Sequence, residues 1–473
     1  MDGGLTFAQH AHFPPLATGG LRGSRLRNIA IIGSGQAGLL AGHGLINAGY
    51  KVTLYSDRTA DQWLNESRPT GTAARFDISL SYERELRLNY WERDAPKGEG
   101  VHLTFSPTKD NRLLTLAGRL ENYFLAIDLR LQSHRWMNDF AAKGGKIDIE
   151  NVSVPRLDEI AAAHELTIVA AGRAELANLF ERDAARSVYD KAQRNLTMII
   201  TTGGKMGFAG VPFFAPFGEA FYVPYFHKDH GPTWNMLIEA KPGSPLDRFG
   251  DCKSGEQAVA LYKQVIKEVI PWDYDWAKDE LADPYGWLVG KVAPTVRKPV
   301  GRLPSGHIVT PLGDTSMALD PIGGQGANNG NKMARNLVES IIARKDLPFD
   351  AQWMTDTFER FYNRFGGVTY TFNNILLEPI TNAGKMLLIA QYGSDGSARG
   401  STGQQRIADT FIENFNDANV LTSAFLDTHK AQAVIREKTG RSWPIAVARG
   451  ALGVAKGQLR QKLGRDPSHP TVA

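Results

Sequence analysis

The stretch NIAIIGSGQAG, from Asn28 to Gly38, decides the fold of this chain. It opens with a short apolar run rich in β-branched residues, which predicts a buried strand. The apolar stretch that follows predicts a helix ending at Gly49, and KVTLY (Lys51–Tyr55) predicts a second strand. A strand, a crossover helix and a second strand form a βαβ unit, which belongs to a parallel sheet.

The turn of this unit, Gly33-Ser34-Gly35-Gln36-Ala37-Gly38, has the GxGxxG spacing of a dinucleotide-binding loop. The first glycine allows a tight turn, the second lets a pyrophosphate approach the backbone, and the third lets the helix pack closely. The helix N-terminus offers unpaired N–H groups to the phosphates. An acidic residue is expected at the end of the second strand to bind the ribose. Ser56 stands there, followed by Asp57 and Arg58, so either Ser56 or Asp57 is expected to make this contact.

Length and composition limit the possible classes of protein. A chain of 473 residues predicts two or three domain-sized units. A net charge of +4 gives no support for a nucleic-acid partner. The single cysteine, Cys252, excludes an intramolecular disulfide and suits the cytoplasm, where we expect the protein. No apolar run approaches the ~20 residues of a membrane span, so no membrane partner is expected.

We predict an α/β fold in which a Rossmann-like domain is combined with an antiparallel sheet and a helical C-terminal region. The runs LTMIITT, AFYVPYF and WNMLIEA predict the antiparallel sheet. The predicted segments are a flexible N-terminal extension (1–27), a discontinuous dinucleotide-binding domain (28–195 and 290–345), a β-sheet substrate-binding domain (196–289), a helical region (346–430) and a basic C-terminal tail (431–473).

A second glycine-rich stretch, LGDTSMALDPIGGQGANN (Leu312–Asn329), distinguishes between the possible cofactors. Asp314, next to Gly313 at a strand end, can accept hydrogen bonds from polyol hydroxyls such as those of a ribityl chain. A helix N-terminus without large side chains, from Pro321 to Asn328, can stabilise negative charge at the edge of a planar ring. A flavin requires both features, so FAD is expected rather than NAD(P).

Motifs along residues 28 to 380 resemble the styrene and indole monooxygenase family, the oxygenase components of two-component flavin systems. The matching motifs are GSGQAGL, YSDR, RFDISLSYEREL, NYW, GVHLTF, DLRL, IVAAGRAEL, LFERDAARS, APTVRKPV, LPSGHIV and the GD stretch itself. VRKPV and LFERDAARS are closer to the indole branch. Ala171-Gly172 stands where single-component hydroxylases carry Asp-Gly, and the sequence has no second GxGxxG for a pyridine nucleotide. The resemblance therefore implies that a separate NADH-dependent flavin reductase supplies FADH2.

The resemblance also implies the fold and the reaction. The dinucleotide-binding domain should be of the glutathione-reductase and hydroxylase type. Reduced FAD and O2 should form a C4a-(hydro)peroxide that epoxidises the C=C bond of indole or a styrene-like aromatic substrate, without a catalytic acid, base or metal. A relative acting on another aromatic or indole-containing natural product is the alternative. A non-enzymatic carrier, similar to the dissociation inhibitors of prenylated GTPases, is the alternative of another class. We expect a monomer or a homodimer.

Individual residues receive expected roles from these motifs. Phe221 and Tyr225 would share one face of a strand and form the floor of an apolar pocket. The residues expected to bind the cofactor are Gly33, Ser34, Gly35, Gln36, Ala37, Gly38, Ser56, Asp57, Arg58, Arg68, Arg130, Gly313, Asp314, Pro321, Gly324, Gly326, Ala327 and Asn328. Those expected to face the flavin ring are Pro321, Gly323 and Gly324, and those expected to line the substrate pocket are Gly71, Phe221, Tyr225, Ala318 and Leu319.

Overall fold

The computed structural model describes residues 27–109, 111–172, 174–203, 207–214, 216–277 and 279–464. Nearly all of the predicted N-terminal extension and the end of the basic tail, from Arg465, lie outside the described residues. The strands are β1 (Asn28–Ile32), β2 (Lys51–Ser56), β3 (Ala74–Arg75), β4 (Gly98–Ser106), β5 (Leu114–Ala126), β6 (Lys146–Ile149), β7 (Leu166–Val169), β8 (Asn195–Thr201), β9 (Gly207–Phe214), β10 (Gly218–His227), β11 (Gly231–Ala240), β12 (Trp287–Gly290), β13 (Thr295–Val296), β14 (Gly301–Arg302), β15 (Ile308–Pro311) and β16 (Met317–Ala318).

Helices cover much of the remaining described chain, and the C-terminal part is helical as predicted. The α-helices are α1 (Gln36–Asn47), α2 (Ala60–Glu66), α3 (Asp77–Glu85), α4 (Leu129–Ala142), α5 (Val154–Ala163), α6 (Ala174–Ala177), α7 (Gly255–Val269), α8 (Gln325–Arg344), α9 (Ala351–Phe361), α10 (Gly367–Leu377), α11 (Asn382–Ala390), α12 (Gly403–Asn416), α13 (Thr422–Leu426), α14 (Thr428–Thr439) and α15 (Trp443–Lys462). None of the described helices is both long and apolar enough to cross a membrane.

The first sheet contains the predicted βαβ unit and has the strand order β14-β15-β7-β1-β2-β6. Strand β1 pairs in parallel with β2 and β7, and β15 pairs in parallel with β7. Its central residues Ile29, Ala30 and Ile31 are completely buried, as expected for a strand covered on both faces. Because the carboxyl ends of parallel strands meet at one edge, the loop after β1 and the loop after β15 lie side by side there.

The second sheet has the strand order β12-β8-β11-β10-β9-β4-β5-β3. It contains the three runs predicted for the substrate domain, but β3, β4 and β5 also belong to it. The predicted boundary at residue 195 is therefore wrong for residues 74–126, which leave the parallel sheet after β2 and return to it at β6. The sheet is also mixed rather than purely antiparallel, because β4 pairs in parallel with β9. Strands β4 and β9 are about a hundred residues apart along the chain, so no local sequence pattern predicts that they pair.

The C-terminal helices close the second sheet on one side. Helix α12 packs against β5 so closely that a Cβ at Gly118 would collide with the carbonyl oxygen of Ala408. Most of the predicted basic tail forms α14 and α15. Helix α15 rests on α11 through Gly450, where a Cβ would collide with the carbonyl oxygen of Ile389. The described part of this tail is thus a docked element of the fold.

Candidate functional site

The carboxyl edge of the first sheet opens into a cavity of about 670 Å³, which is lined by residues of both sheets. This volume lies in the range of cofactor and small-molecule pockets, roughly 300–1,000 Å³. One part of the cavity is lined by the two glycine-rich loops. The other part is lined by apolar side chains of the second sheet, and we call it the apolar chamber.

The first glycine-rich loop has the geometry that its spacing predicts. Gly33 has a φ of +115°, and its N–H donates to the carbonyl oxygen of Tyr55 at 2.9 Å. A Cβ at Gly38 would collide with the carbonyl oxygen of Gly33, so this glycine permits close packing of α1 and does not line the cavity. Gly35 precedes α1, and no described atom lies within 4 Å of a Cβ built there. Its backbone is open to the cavity, as a bound pyrophosphate requires. Residues 34, 36 and 37 also line the cavity.

The end of β2 distinguishes the two candidates for a ribose contact. Ser56 is buried, its hydroxyl is bonded to the Ser34 hydroxyl at 2.6 Å, and it also donates to the carbonyl oxygen of Arg58 at 2.6 Å. It does not line the cavity, whereas Asp57 and Arg58 do. The Arg58 guanidinium is paired with the Asp57 carboxylate at 2.7 Å. Of the two candidates, Asp57 is therefore the one that reaches the cavity, where Glu150, which follows β6, is a second acidic lining residue.

The second glycine-rich loop brings a carboxylate into the cavity. Gly313 has a φ of +64° and turns the chain after β15, so that Asp314 lines the cavity wall. The Asp314 side chain faces the cavity, deep inside the protein. Its separation from bulk water raises the pKa of its carboxyl group, and the nearby positive charge of Arg297 acts in the opposite direction. None of the described residues donates a hydrogen bond to its carboxylate. The Oε1 atom of Gln36, across the same edge, is also buried without a partner.

The chain next forms a tight turn, Pro321–Gly324, which we call the proline turn. Asp320 begins it by accepting from the N–H of Ile322 at 3.2 Å, and Gly324 ends it with a φ of +61°. Helix α8 then begins at Gln325, within the stretch predicted to hold its N-terminus, and the left-handed Gly324 is its N-cap. Residues 321, 323, 324, 326 and 327 line the cavity.

Asn328 does not line the cavity, although it was expected to bind the cofactor. Its side chain accepts from the N–H of Phe76 at 2.8 Å and donates to the carbonyl oxygens of Ala74 and Gly324, at 2.8 and 2.7 Å. This asparagine therefore fixes the proline turn to the segment that enters α3.

Arg68 and Arg130 do not reach the cavity either, which corrects their expected roles. The Arg130 guanidinium is completely buried and is paired with Asp128 and Asp283, both at 2.8 Å. Arg68 is exposed, and its guanidinium lies 4.5 Å from the ring centroid of Trp287. The charge of Arg130 is thus neutralised within the protein, and no part of it remains for a phosphate.

The apolar chamber includes some of the expected substrate-pocket residues. Phe221, Leu319 and Gly71 line it, whereas Ala318 and Tyr225 do not, and Tyr225 is completely buried in the core. Sequence reasoning missed most of the chamber, although alternation along β8, β10 and β11 identifies one face of each strand. The missed apolar lining residues are Phe76, Val101, Leu103, Phe124, Leu196, Met198, Ala209, Val211, Val223, Leu237, Leu288, Ile322 and Phe415.

Comparisons with known proteins agree with this architecture. Residues 172–275 match the family model for the proposed substrate-binding domain of styrene monooxygenase A. The chain is 26% identical over 404 residues to styrene monooxygenase StyA of Pseudomonas fluorescens, which covers 82% of this chain and 93% of that protein. It is 25% identical over 406 residues to styrene monooxygenase StyA of a Pseudomonas species, with the same coverage of 82% and 93%.

Solved structures show the same fold at low sequence identity. A flavoprotein/dehydrogenase from Cytophaga hutchinsonii has a TM-score of 0.57 at 12% identity, covering 90% of this chain and 99% of that one. 2-Methyl-3-hydroxypyridine-5-carboxylic acid oxygenase has a TM-score of 0.52 at 15% identity, covering 75% and 90%. The predicted fold class is confirmed.

Proposed function

This chain is related to the styrene monooxygenases, and from that premise we propose that it is the oxygenase component of a two-component, FAD-dependent monooxygenase. Its proposed reaction is the epoxidation of a C=C bond in indole or a styrene-like aromatic substrate. It uses O2 and FADH2 delivered by a separate NADH-dependent flavin reductase. One observation carries the proposal: a glycine-lined edge with a free carboxylate opens directly into an apolar chamber.

The cavity lining fits FAD. The open backbone at Gly35 and the N-terminus of α1 would bind the pyrophosphate, and Asp57 would accept hydrogen bonds from the ribose. The carboxylate of Asp314 and the unpartnered Oε1 of Gln36 would accept hydrogen bonds from hydroxyls of the ribityl chain. The N-terminus of α8, behind the proline turn, would stabilise negative charge on the ring. When bound in reduced form, FAD would supply the two electrons that activate O2, from which one oxygen atom goes to the substrate and the other leaves as water.

The protein itself would position the substrate and exclude water. Phe221, Val223 and Leu237 project from neighbouring strands into the chamber, where a flat apolar substrate would lie beside the proline turn. Such a chamber protects a reactive oxygen donor from water and fixes the distance to the double bond. These three side chains are apolar and offer no partner for a charge, so this part of the chamber favours an uncharged substrate.

A paired assay tests the proposal. The chain with NADH alone should oxidise nothing, whereas the chain with FAD, NADH and a flavin reductase should convert indole to blue indigo. Oxidation with NADH and no reductase would contradict the two-component assignment. If neither indigo from indole nor styrene oxide from styrene forms, the substrate assignment is wrong. An absorbance titration with FAD tests the cofactor separately, because a carrier without flavin would show no spectral change.

A further inference from the structure

A row of buried acidic residues follows the apolar chamber along the second sheet. In the register of β10 and β11, Phe221 pairs with Leu237 and Glu219 pairs with Glu239. Residues that pair directly, and residues two apart on a strand, lie on the same face of a sheet. Glu219 and Glu239 therefore project from the face whose side chains form the chamber, one row beyond it. Both are buried.

The two glutamates differ in their partners. Glu219 is neutralised by Arg194, whose Nε and Nη2 atoms donate to its carboxylate at 2.8 and 3.0 Å. Glu239 is completely buried, and neither of its carboxylate oxygens accepts from a donor among the described residues. Its neighbour is the carboxyl group of Asp320, and the two carboxyl groups act on each other electrostatically. We call Glu239 and Asp320 the carboxyl pair.

Asp320 connects this pair to the proline turn. Its Oδ1 atom accepts from the N–H of Ile322, and its carbonyl oxygen accepts from the Asn373 amide at 3.0 Å. The same amide group, through its oxygen, accepts from the N–H of Gly323 at 3.2 Å. The Oδ2 atom of Asp320 is buried and has no donor partner. One proton between Asp320 and Glu239 would satisfy this atom and one of the two glutamate oxygens.

Two adjacent buried carboxylates are costly, because each is desolvated and repels the other. Burial raises the pKa of Glu239 well above its usual value, and it also raises the pKa of Asp320. The charged groups around the pair are Glu219 and Arg194, and Lys241 acts on Glu219. The single guanidinium of Arg194 is already bonded to Glu219, so it neutralises the pair only partly.

We propose that Glu239 and Asp320 share one proton at neutral pH and that this proton fixes the proline turn to β11. They are positioning residues, since neither lines the cavity. The part of the inference that concerns FAD rests on the proposed function. The shared proton itself does not, because it is a property of the chain without cofactor.

Infrared spectroscopy of the chain without FAD tests the proton directly. The wild-type protein at neutral pH should show the C=O stretch of a protonated, buried carboxylic acid, and this band should be lost in Glu239→Gln. Asp320→Asn should lose it as well, which covers the case in which one variant does not fold. Glu437→Gln, at an exposed glutamate, is the matched control and should keep the band. A band that is absent from the wild type, or unchanged in both variants, overturns the proposal.

The pH dependence of FAD binding tests the positioning role. A carboxyl group whose pKa is raised in the folded state contributes stability at low pH and loses it as pH rises through the folded value. The shared proton fixes the proline turn, which would face the cofactor. Wild-type affinity for FAD should therefore fall by at least about tenfold as the pH rises and this proton is lost. In Glu239→Gln the amide donates to Asp320 at every pH, so its affinity should stay level. Parallel curves for the two proteins overturn the positioning role. If neither protein binds FAD at any pH, the proposed cofactor is wrong. The infrared spectra still show whether Glu239 and Asp320 share a proton, because they are recorded without FAD.

Discussion

At the scale of single residues, Asp314 shows a conflict between stability and binding. Its carboxylate lies deep in the protein, faces the cavity and has a raised pKa, so its charge at neutral pH opposes folding. The same free carboxylate is the acceptor that a ribityl chain requires. A group kept charged at a cost to the fold, with no donor among the described residues, is typical of a binding site.

Replacing Asp314 should separate these two effects. Asp314→Asn should raise the melting temperature of the chain without FAD, because it removes a charge that the surrounding protein disfavours. It should weaken FAD binding by about ten- to a hundredfold, since hydrogen bonds to a charged group contribute about 1.5–3 kcal/mol. Thermal unfolding and a fluorescence titration measure the two quantities. Asp251→Asn, at an exposed aspartate, should change neither. A variant that binds FAD normally would contradict the role of Asp314.

Gly326 allows a steric test of the cavity. A Cβ there has the Asp314 carboxylate at 3.9 Å as its nearest neighbour, and the residue is in the first turn of α8 with ordinary helical backbone. Gly326→Val should therefore preserve the fold while its side chain projects into the cavity beside Asp314 and abolishes FAD binding. Circular dichroism and a flavin titration check both outcomes, and Gly250→Val, at an exposed glycine with open space around it, is the control. Gly324 is less suitable, because its φ of +61° would strain any valine.

Residue roles that depend on local geometry could be predicted from the sequence, whereas those that depend on distant partners could not. The spacing of Gly33, Gly35 and Gly38 determines one strand-turn-helix geometry, and the structure has it. The DLRL motif predicts a cofactor contact for Arg130. Its actual partner, Asp283, is 153 residues away and has no sequence signal at Arg130.

At the scale of elements, α15 shows how a segment of basic composition becomes part of the fold. Three of its glycines face the body of the protein, and Cβ atoms at Gly453 and Gly457 would collide with Tyr392. Glycine is poor for helix propensity, so its presence here is explained by close approach of the helix to its neighbours. Composition predicted a tail because glycines contribute much of the side that contacts the fold, and glycine carries no apolar side chain to mark a buried face.

Adding a side chain to this contact should release the helix. Gly450→Val would force Cβ against the carbonyl oxygen of Ile389 and should lower the free energy of unfolding by about 1–3 kcal/mol. Ala451→Val is the matched control, because it introduces the same β-branched residue on the exposed side of the same helix. Urea unfolding of the two variants should differ clearly. Equal stabilities would mean that α15 does not pack as described.

At the scale of the whole molecule, the cavity forms where two sheets meet. Separate sequence motifs predict each of these sheets. The βαβ signature identified the first sheet, and alternating strands identified much of the second. Leu103 and Leu237 line one cavity with Gly35 and Asp314, and this depends on the parallel pairing of β4 with β9 and on the way the two sheets meet. These are long-range relations, and they determine which residues an apolar substrate and a cofactor could contact together.

If one cavity holds both the reduced cofactor and the substrate, the reductase is needed only as a source of FADH2. FAD reduced chemically without oxygen, and then mixed with the chain, O2 and indole, should give indigo with neither reductase nor NADH present. The yield should be limited to about one oxygenation per reduced FAD, because no other group in the proposed site stores electrons. Gly326→Val, treated in the same way, should give none, since the flavin would then react with O2 in solution. Indigo formation that required the reductase protein itself would contradict this model and would place part of the site on the partner.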